Sequence, residues 1–322
     1  MKIVNYVLVF IAVTTIGMLY DRYNRKFYVD EELDKYSLVK KYLLNESDSI
    51  TGKPFIWIHT KHNINARDWL SFKSRNSKRL NQPYKDLCVE TIIKNCGNHF
   101  RICLIDDNSF EKIIPNWTIN LNGLSNPVKQ KVRSLAISKL LYTYGGLSLP
   151  NSSIVFKNLN TLYNNNLSNG MFVGEFVNRG NSSVYERFFP NNKLIGCIKN
   201  NNNMKEYIEY LEILISQDNT DDSKFQGKSD RFLYGLIQNN KCKLIDGKVL
   251  GTKTSDNKAV LIDNLLKKTS INFCKKSLNM IILPDNEILN RTKYQWFNRL
   301  NHAQVFKANT EASKYLLIAH NK

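Results

Sequence analysis

Acidic residues stand at the ends of predicted strands, where they could transfer protons. Asp106 and Asp107 follow the apolar segment FRICLI, and open α/β sheets bind their ligands beyond the carboxyl ends of the strands. Successive strand residues point to opposite faces, so the two carboxylates are not expected to act as a pair. We predict a catalytic role for Asp106 and a substrate contact for Asp107. The alternative is that one of them caps a turn.

A second candidate base lies in the segment MFVGEFVNR. Its acidic residue, Glu175, could take a proton from an incoming hydroxyl group as a general base. Asn178 and Arg179 follow it, and we predict that both contact the same substrate. Asp230, in GKSDRFLYG, is predicted to belong to a helix cap, with an acidic role towards the substrate as the alternative.

Basic residues near these strand ends could bind an anion without a metal ion. Their charges, together with backbone N–H groups, can stabilise a negatively charged leaving group. The candidates are Lys61, Arg133, Lys157 and Arg179, and for each the alternative is a solvated surface charge. His59 ends the apolar segment FIWIHT, where it could stack on or bond a nucleobase; a structural histidine is the alternative.

The stretch LLYTYGGLSLPNSS, residues 140–153, predicts a helix that turns abruptly into a strand. Asn126 could cap this helix, and Pro127 suits its first position. Apolar residues then recur at helical spacing as far as the tyrosine before the glycines. Gly145 is placed to end the helix in a left-handed conformation, and Gly146 lets the backbone turn into the apolar LSL segment.

Apolar patterns elsewhere predict alternating strands and helices, which indicates an α/β fold with parallel strands. The proposed strands cover residues 55–60, 100–105, 171–176, 193–198 and 280–284, and the proposed helices cover 83–95 and 204–215, the latter with Asn203 as its cap.

The helix, YGG turn and strand resemble the sugar-binding region of a glycosyltransferase family that is named for its Asp-x-Asp motif. That family includes fungal initiating mannosyltransferases and bacterial capsule-sugar transferases, and the chain also resembles members carried by large DNA viruses. The resemblance is strongest over residues 131–162 and extends more weakly from 53–60 to 193–200. It implies a nucleotide-diphospho-sugar transferase fold of the GT-A type, with a Rossmann-like mixed sheet.

The chain departs from this family where its members bind a metal ion. Counted from the YGG turn, the Asp-x-Asp positions fall on Pro150, Asn151 and Ser152, and the family's helix Asp and Arg fall on Ser134 and Ile137. Proline offers no side-chain ligand, and Asn or Ser without a carboxylate binds Mg²⁺ or Mn²⁺ poorly. The sequence therefore predicts no metal ligands and no cofactor.

The resemblance implies sugar transfer from a nucleotide-sugar donor to a glycan or protein acceptor, here without Mn²⁺ or Mg²⁺. Gly145, Gly146, Asn151 and Ser152 are then predicted to contact the substrate, with His59 and the residues described above. The alternative is a catalytically inactive structural or carbohydrate-binding protein, associated with a virion or a membrane, on the same fold.

The amino terminus predicts attachment to a membrane. Residues 3–20 form an apolar run long enough to cross a bilayer as a helix, with basic residues after it; a buried core helix is the alternative. We predict an anchor with its flank in residues 1–28, a stem helix in 29–52 and a glycosyltransferase-like domain in 53–322. The expected location is an endomembrane of the host or a virion membrane, in either orientation.

The charge balance favours anionic partners without specifying one. With 46 basic and 28 acidic residues, the net charge is +18. The lysines are spread along the chain, and no basic run with interleaved aromatic residues indicates a nucleic-acid module. We therefore expect no specific nucleic-acid partner.

Overall fold

The structure, a computed structural model, describes Leu43 and residues 52–61, 82–217 and 222–321. Eight strands lie in this part of the chain: β1 (Phe55–His59), β2 (Arg101–Ile105), β3 (Gly146–Pro150), β4 (Ser153–Val155), β5 (Met171–Val177), β6 (Phe188–Cys197), β7 (Lys243–Ile245) and β8 (Met280–Ile282). The α-helices there are α1 (Pro83–Cys96), α2 (Phe110–Ile113), α3 (Val128–Tyr144), α4 (Asn160–Asn166), α5 (Asn202–Ser216), α6 (Asp222–Gln238), α7 (Gly247–Leu250), α8 (Ile262–Leu265), α9 (Asp285–Asn290), α10 (Gln295–Asn298), α11 (His302–Lys307) and α12 (Glu311–Asn321).

Six strands form one mixed sheet in the order β2-β1-β3-β6-β5-β7. β1 lies between β2 and β3 and is parallel to both, whereas β6 runs antiparallel to β3 and β5. The predicted α/β fold with a mixed, mainly parallel sheet is confirmed. His59 is in register with Ile105 and with Pro150, so the chain leaves β1, β2 and β3 at one common edge. We call it the carboxyl edge.

The YGG turn joins α3 to β3 beneath the aromatic residues of β1. Gly145 and Gly146 have φ values of 72° and 106°, a region that favours glycine. The indole of Trp57 donates a hydrogen bond of 3.0 Å to the Gly145 carbonyl. A Cβ atom on Gly146 would lie 2.3 Å from the carbonyl oxygen of Phe55. Gly146 therefore allows the backbone of β3 to pack directly on β1, whereas a Cβ on Gly145 would lie 3.1 Å from the Lys199 amide nitrogen.

A second, two-stranded sheet follows directly after β3. β4 pairs antiparallel with β8, which places the predicted MIILP strand beside the chain that leaves the carboxyl edge. Ile154 and Ile281 at the centre of this pair are fully buried in an apolar cluster with α1, α11 and α12. The small sheet thereby holds the residues after Pro150 in place.

Two predicted helix caps are wrong. Pro127 itself occupies the cap position of α3, and no side chain caps that end. Helix α5 begins earlier than predicted, because the side chain of Asn201, not that of Asn203, accepts the hydrogen bond from the Met204 amide. Several asparagines in succession offered equivalent caps, and packing selected among them.

The predicted anchor in residues 1–28 lies outside the described residues, as does the stem of 29–52 apart from Leu43 and Gly52. Leu43 forms an isolated antiparallel bridge with Cys103 of β2. In the described part of the chain, no helix has the length and apolar character needed to cross a membrane.

Candidate functional site

Three polar side chains from different elements meet at the carboxyl edge. The Asp107 carboxylate, just after β2, accepts hydrogen bonds of 2.8 Å and 2.6 Å from Nε and an Nη atom of Arg133 on α3. His59, at the end of β1, lies with Nε2 at 3.0 Å from Asp107 Oδ1. The side chains of Arg133 and Asp107 are each only 10% exposed. We call these residues the His-Asp-Arg network.

The network holds Asp107 ionised and His59 neutral. Burial by itself acts to raise the pKa of the Asp107 carboxyl, but the bonds from His59 and Arg133 outweigh it and hold that pKa well below its usual range. Burial lowers the pKa of His59, against the opposing effect of Asp107. A neutral imidazole that donates from Nε2 keeps Nδ1 as an acceptor. The ring stacks on Phe110, with centroids 5.2 Å apart.

This histidine predicts a loss of stability in mild acid. Because the folded pKa of His59 is lowered, the unfolded chain takes up the proton first, and stability falls as the pH drops below about 6.5. His59→Gln should lose less stability between pH 7 and pH 5 than the wild type, as measured by urea denaturation at each pH. The exposed His302, replaced in the same way, serves as the control. Equal losses in the wild type and His59→Gln would contradict the assignment.

Three lysines gather beside this network, and we call them the lysine cluster. Lys61 follows β1, Lys85 lies in the first turn of α1, and Lys193 lies on β6. Their common neighbour is Asp285, at the start of α9, whose Oδ2 is 3.2 Å from Nζ of Lys85. Burial alone would raise the pKa of Asp285, but Lys85, Lys61 and Lys193 outweigh it and lower that pKa. Burial lowers the pKa of Lys61, with further lowering by Lys193, Lys85 and Arg133.

Of this cluster, only Lys61 was predicted from the sequence. Lys85 and Asp285 are 200 positions apart, and neither lies in a motif. A basic residue in a first helical turn and an acidic residue after a short strand are both common on protein surfaces. No sequence signal could have paired them.

The residues at the Asp-x-Asp positions are buried, and one of them hydrogen-bonds to the backbone. Ser152 is fully buried, and its hydroxyl donates a 2.8 Å bond to the Leu283 carbonyl after β8. Asn151 is 9% exposed beside it, and Pro150 ends β3 in register with His59. In the described ranges, no group of three or more His, Cys, Asp or Glu side chains could together hold a metal ion. These residues do not fit a divalent cation, so we derive no step through one.

The two proposed catalytic acids are far apart in the sheet, and both carboxylates already accept hydrogen bonds from neighbouring residues. Asp106 Oδ1 accepts bonds from the amide and hydroxyl of Ser109, at 2.9 Å and 2.5 Å, and so caps the turn before α2. Glu175 Oε2 on β5 accepts a 2.9 Å bond from the Gly247 amide and lies 2.5 Å from Nζ of Lys253. These contacts hold neighbouring segments of the chain against the two carboxylates. The catalytic role of each residue stays a prediction.

The remaining residues predicted to bind substrate are bonded to groups outside the His-Asp-Arg network. Asn178 orders the connection after β5, since its side chain donates to the Glu186 carbonyl and accepts from the Gly180 amide. Arg179 is exposed and pairs with Glu287 of α9 at 2.6 Å. Lys157 is half-buried and donates to the Lys276 carbonyl. Arg179 thus ties the β5–β6 connection to the helix that begins at Asp285.

Asp230 lies within α6 and does not cap it. Its Oδ2 accepts a 2.8 Å bond from Asn191 at the start of β6, and Ser229 and Lys131 are bonded to each other beside it. Burial raises the pKa of its carboxyl, although Lys131, Asn191, Ser229 and Lys193 act against this. Asp230 therefore anchors the strand that carries Lys193.

Comparisons with known proteins give structural likenesses only. No family model and no curated protein matches the chain. One similar solved structure is a glycosyltransferase involved in glycosylation of the major capsid of PBCV-1, at 13% identity and a TM-score of 0.39, covering 71% of this chain and 93% of that one. Others are the glycosyltransferase GlyE of Streptococcus pneumoniae TIGR4 (9% identity, TM-score 0.38, 84% of this chain and 63% of that one) and the galactosyltransferase LgtC in complex with donor and acceptor sugar analogs (9%, 0.38, 83% and 95%). At these identities and TM-scores, the likeness assigns neither an activity nor a substrate to this chain.

Proposed function

We propose that this chain is a glycosyltransferase of GT-A type, which binds a nucleotide-diphospho-sugar at the carboxyl edge and transfers the sugar to a glycan or protein acceptor. The supporting observation is the convergence at that edge of His59, Asp107, Arg133 and the lysine cluster. Carboxyl ends of parallel strands are the usual ligand site of open α/β sheets. The surplus of positive charge there suits a donor that carries two phosphates.

The His-Asp-Arg network would hold the nucleoside part of the donor. The neutral His59 presents Nδ1 as an acceptor for an N–H group of a base, and Asp107 fixes the orientation of its ring. Arg133 donates two hydrogen bonds to Asp107. Its role in this proposal is to position that carboxylate while contributing positive charge to the edge.

Transfer requires a proton acceptor for the incoming hydroxyl group. The acceptor oxygen would bond to the anomeric carbon of the sugar, the bond from that carbon to the diphosphate would break, and the hydroxyl proton would pass to a carboxylate. Asp106 and Glu175 remain the proposed bases. Each carboxylate already accepts a hydrogen bond from a backbone N–H group. The incoming hydroxyl group would donate a further hydrogen bond to it.

The proposal is tested with the full chain in detergent and a panel of nucleotide-sugars in the presence of EDTA. Calorimetry should show binding of at least one donor with a Kd below about 1 mM, and His59→Ala should weaken it. The matched control is His302→Ala, a change at an exposed histidine. Absence of heat for every donor would overturn the proposal.

A non-catalytic carbohydrate-binding or structural protein is the second candidate. It is favoured by the engagement of Ser152, Asp106 and Glu175 in contacts that stabilise the backbone. This candidate predicts binding of a donor or glycan without turnover. Product formation with any donor and acceptor pair, reduced by orders of magnitude in Asp106→Ala or Glu175→Ala, would exclude it.

A further inference from the structure

We infer that Lys61, Lys85 and Lys193 form a diphosphate-binding site that is held together by Asp285. The site rests on the proposed function in one respect: the diphosphate is taken to belong to a nucleotide-sugar. The lysines come from three separate elements, since Lys61 follows β1, Lys85 lies in the first turn of α1 and Lys193 lies on β6.

The strand register brings Lys61 and Lys193 to the carboxyl edge. His59, two residues before Lys61, is in register with Pro150 on β3. Ile195 of β6 is in register with Ser148, so Lys193, two residues earlier on this antiparallel strand, lies towards Pro150.

The cluster contains more positive charge than its own carboxylate can neutralise. Lys85 forms an ion pair with Asp285 at 3.2 Å. Within the ranges that the structure describes, neither Lys61 nor Lys193 has a carboxylate within the 4.0 Å of an ion pair, although both act on Asp285 at longer range. Among the described residues, the three ammonium groups thus have one carboxylate at ion-pair distance, that of Asp285 beside Lys85. The surplus of two charges matches the charge of a diphosphate diester such as the one in a nucleotide-sugar.

Burial makes this surplus costly in the absence of an anion. The side chain of Lys85 is 10% exposed and that of Asp285 is 19% exposed, so water screens the pair only in part. Burial and the like charges of Lys193 and Lys85 disfavour the charged form of Lys61. A bound diphosphate would relieve this repulsion, because each lysine would gain an anionic oxygen as partner. An ordinary solvated lysine would gain far less.

Asp285 acts in this site as a positioning residue. It forms an ion pair with Nζ of Lys85, and its negative charge reduces the mutual repulsion of the three lysines. Helix α9, which Asp285 begins, is in turn tied to the β5–β6 connection through Glu287 and Arg179. Lys193 is exposed on β6 and stands over the Phe176 ring, with Nζ 5.8 Å from its centroid. Its ammonium group is the most accessible of the three.

The experiment measures inorganic pyrophosphate binding to the full chain by calorimetry in EDTA. Lys193→Met and Lys85→Met should each weaken binding about tenfold, since each removes a charge-assisted hydrogen bond. Lys243→Met is the control, because that lysine on β7 is exposed and donates to the Asn165 carbonyl; it should bind like the wild type. Lys193→Met changes an exposed residue, so the test does not depend on a variant that fails to fold.

Unchanged pyrophosphate affinity in both Lys193→Met and Lys85→Met would overturn the site, as would binding that appears only when Mn²⁺ is added. A nucleoside diphosphate and inorganic phosphate serve as further probes, and orthophosphate should bind more weakly than either diphosphate. If pyrophosphate binds through the lysines and no nucleotide-sugar binds, the site stands and the proposed function fails. If a nucleotide-sugar binds equally well in both variants, the function stands and this inference fails.

Discussion

Replacing Arg133 with methionine is expected to lower the free energy of unfolding by about 3–5 kcal/mol. The change removes both hydrogen bonds from the guanidinium and leaves the Asp107 carboxylate buried without its main partner. Since both side chains are 10% exposed, water cannot replace the lost contacts. Urea denaturation of the full chain, followed by tryptophan fluorescence, measures the loss.

The matched control lies on the same helix. Lys139 pairs with Glu212 at 2.6 Å, but these side chains are 31% and 46% exposed. Lys139→Met should therefore cost less than about 1 kcal/mol. The double variant Asp107→Asn with Arg133→Met should recover part of the loss, because the buried charge is gone. A cost for Arg133→Met no greater than that for Lys139→Met would show that the pair does not hold α3 to β2.

Gly146→Ala is expected to destabilise the fold by at least about 4 kcal/mol. The new Cβ would lie 2.3 Å from the Phe55 carbonyl oxygen, and this neighbour is a backbone atom of the first residue of β1, which cannot rotate away as a side chain could. The φ of 106° adds strain for any residue with a side chain. Denaturation by urea again provides the measurement.

Gly123→Ala controls for the general effect of the substitution, since a Cβ there has nothing within 4 Å. Its stability should stay within about 1 kcal/mol of the wild type. This comparison also separates two roles of the YGG turn, because Gly146 was predicted to contact substrate. A Gly146→Ala protein with wild-type stability and no affinity for nucleotide-sugars would assign the glycine to binding and contradict the packing argument.

The elements that sequence predicted well are those with local causes. The strand at β1, the helix that starts at Pro83 and the turn at Gly145 and Gly146 each follow from apolar spacing or from a backbone preference of one or two residues. The predicted cap of α5 was wrong because Asn201 and Asn203 have similar intrinsic preferences. The predicted cap of α3 was wrong because Pro127, not Asn126, holds the cap position.

The site was predicted only in part, because its contacts have no local cause in the sequence. His59, Asp107 and Arg133 were each singled out, but nothing in their spacing required Arg133 to meet Asp107. The helix register had placed Arg133 beside the family's functional position rather than on it. Lys85, Lys193 and Asp285 were missed, because each resembles an ordinary surface residue until the chain is folded.

By itself, the sequence determined the alternation of strands and helices, the glycine turn, and the absence of carboxylates at Pro150, Asn151 and Ser152. These are properties of short segments, set by side-chain volume, backbone freedom and chemical type. Only the tertiary structure decided which charges neutralise one another and which remain in surplus at the carboxyl edge. The energy of a charge depends on its burial and on partners that the fold brings from distant parts of the chain.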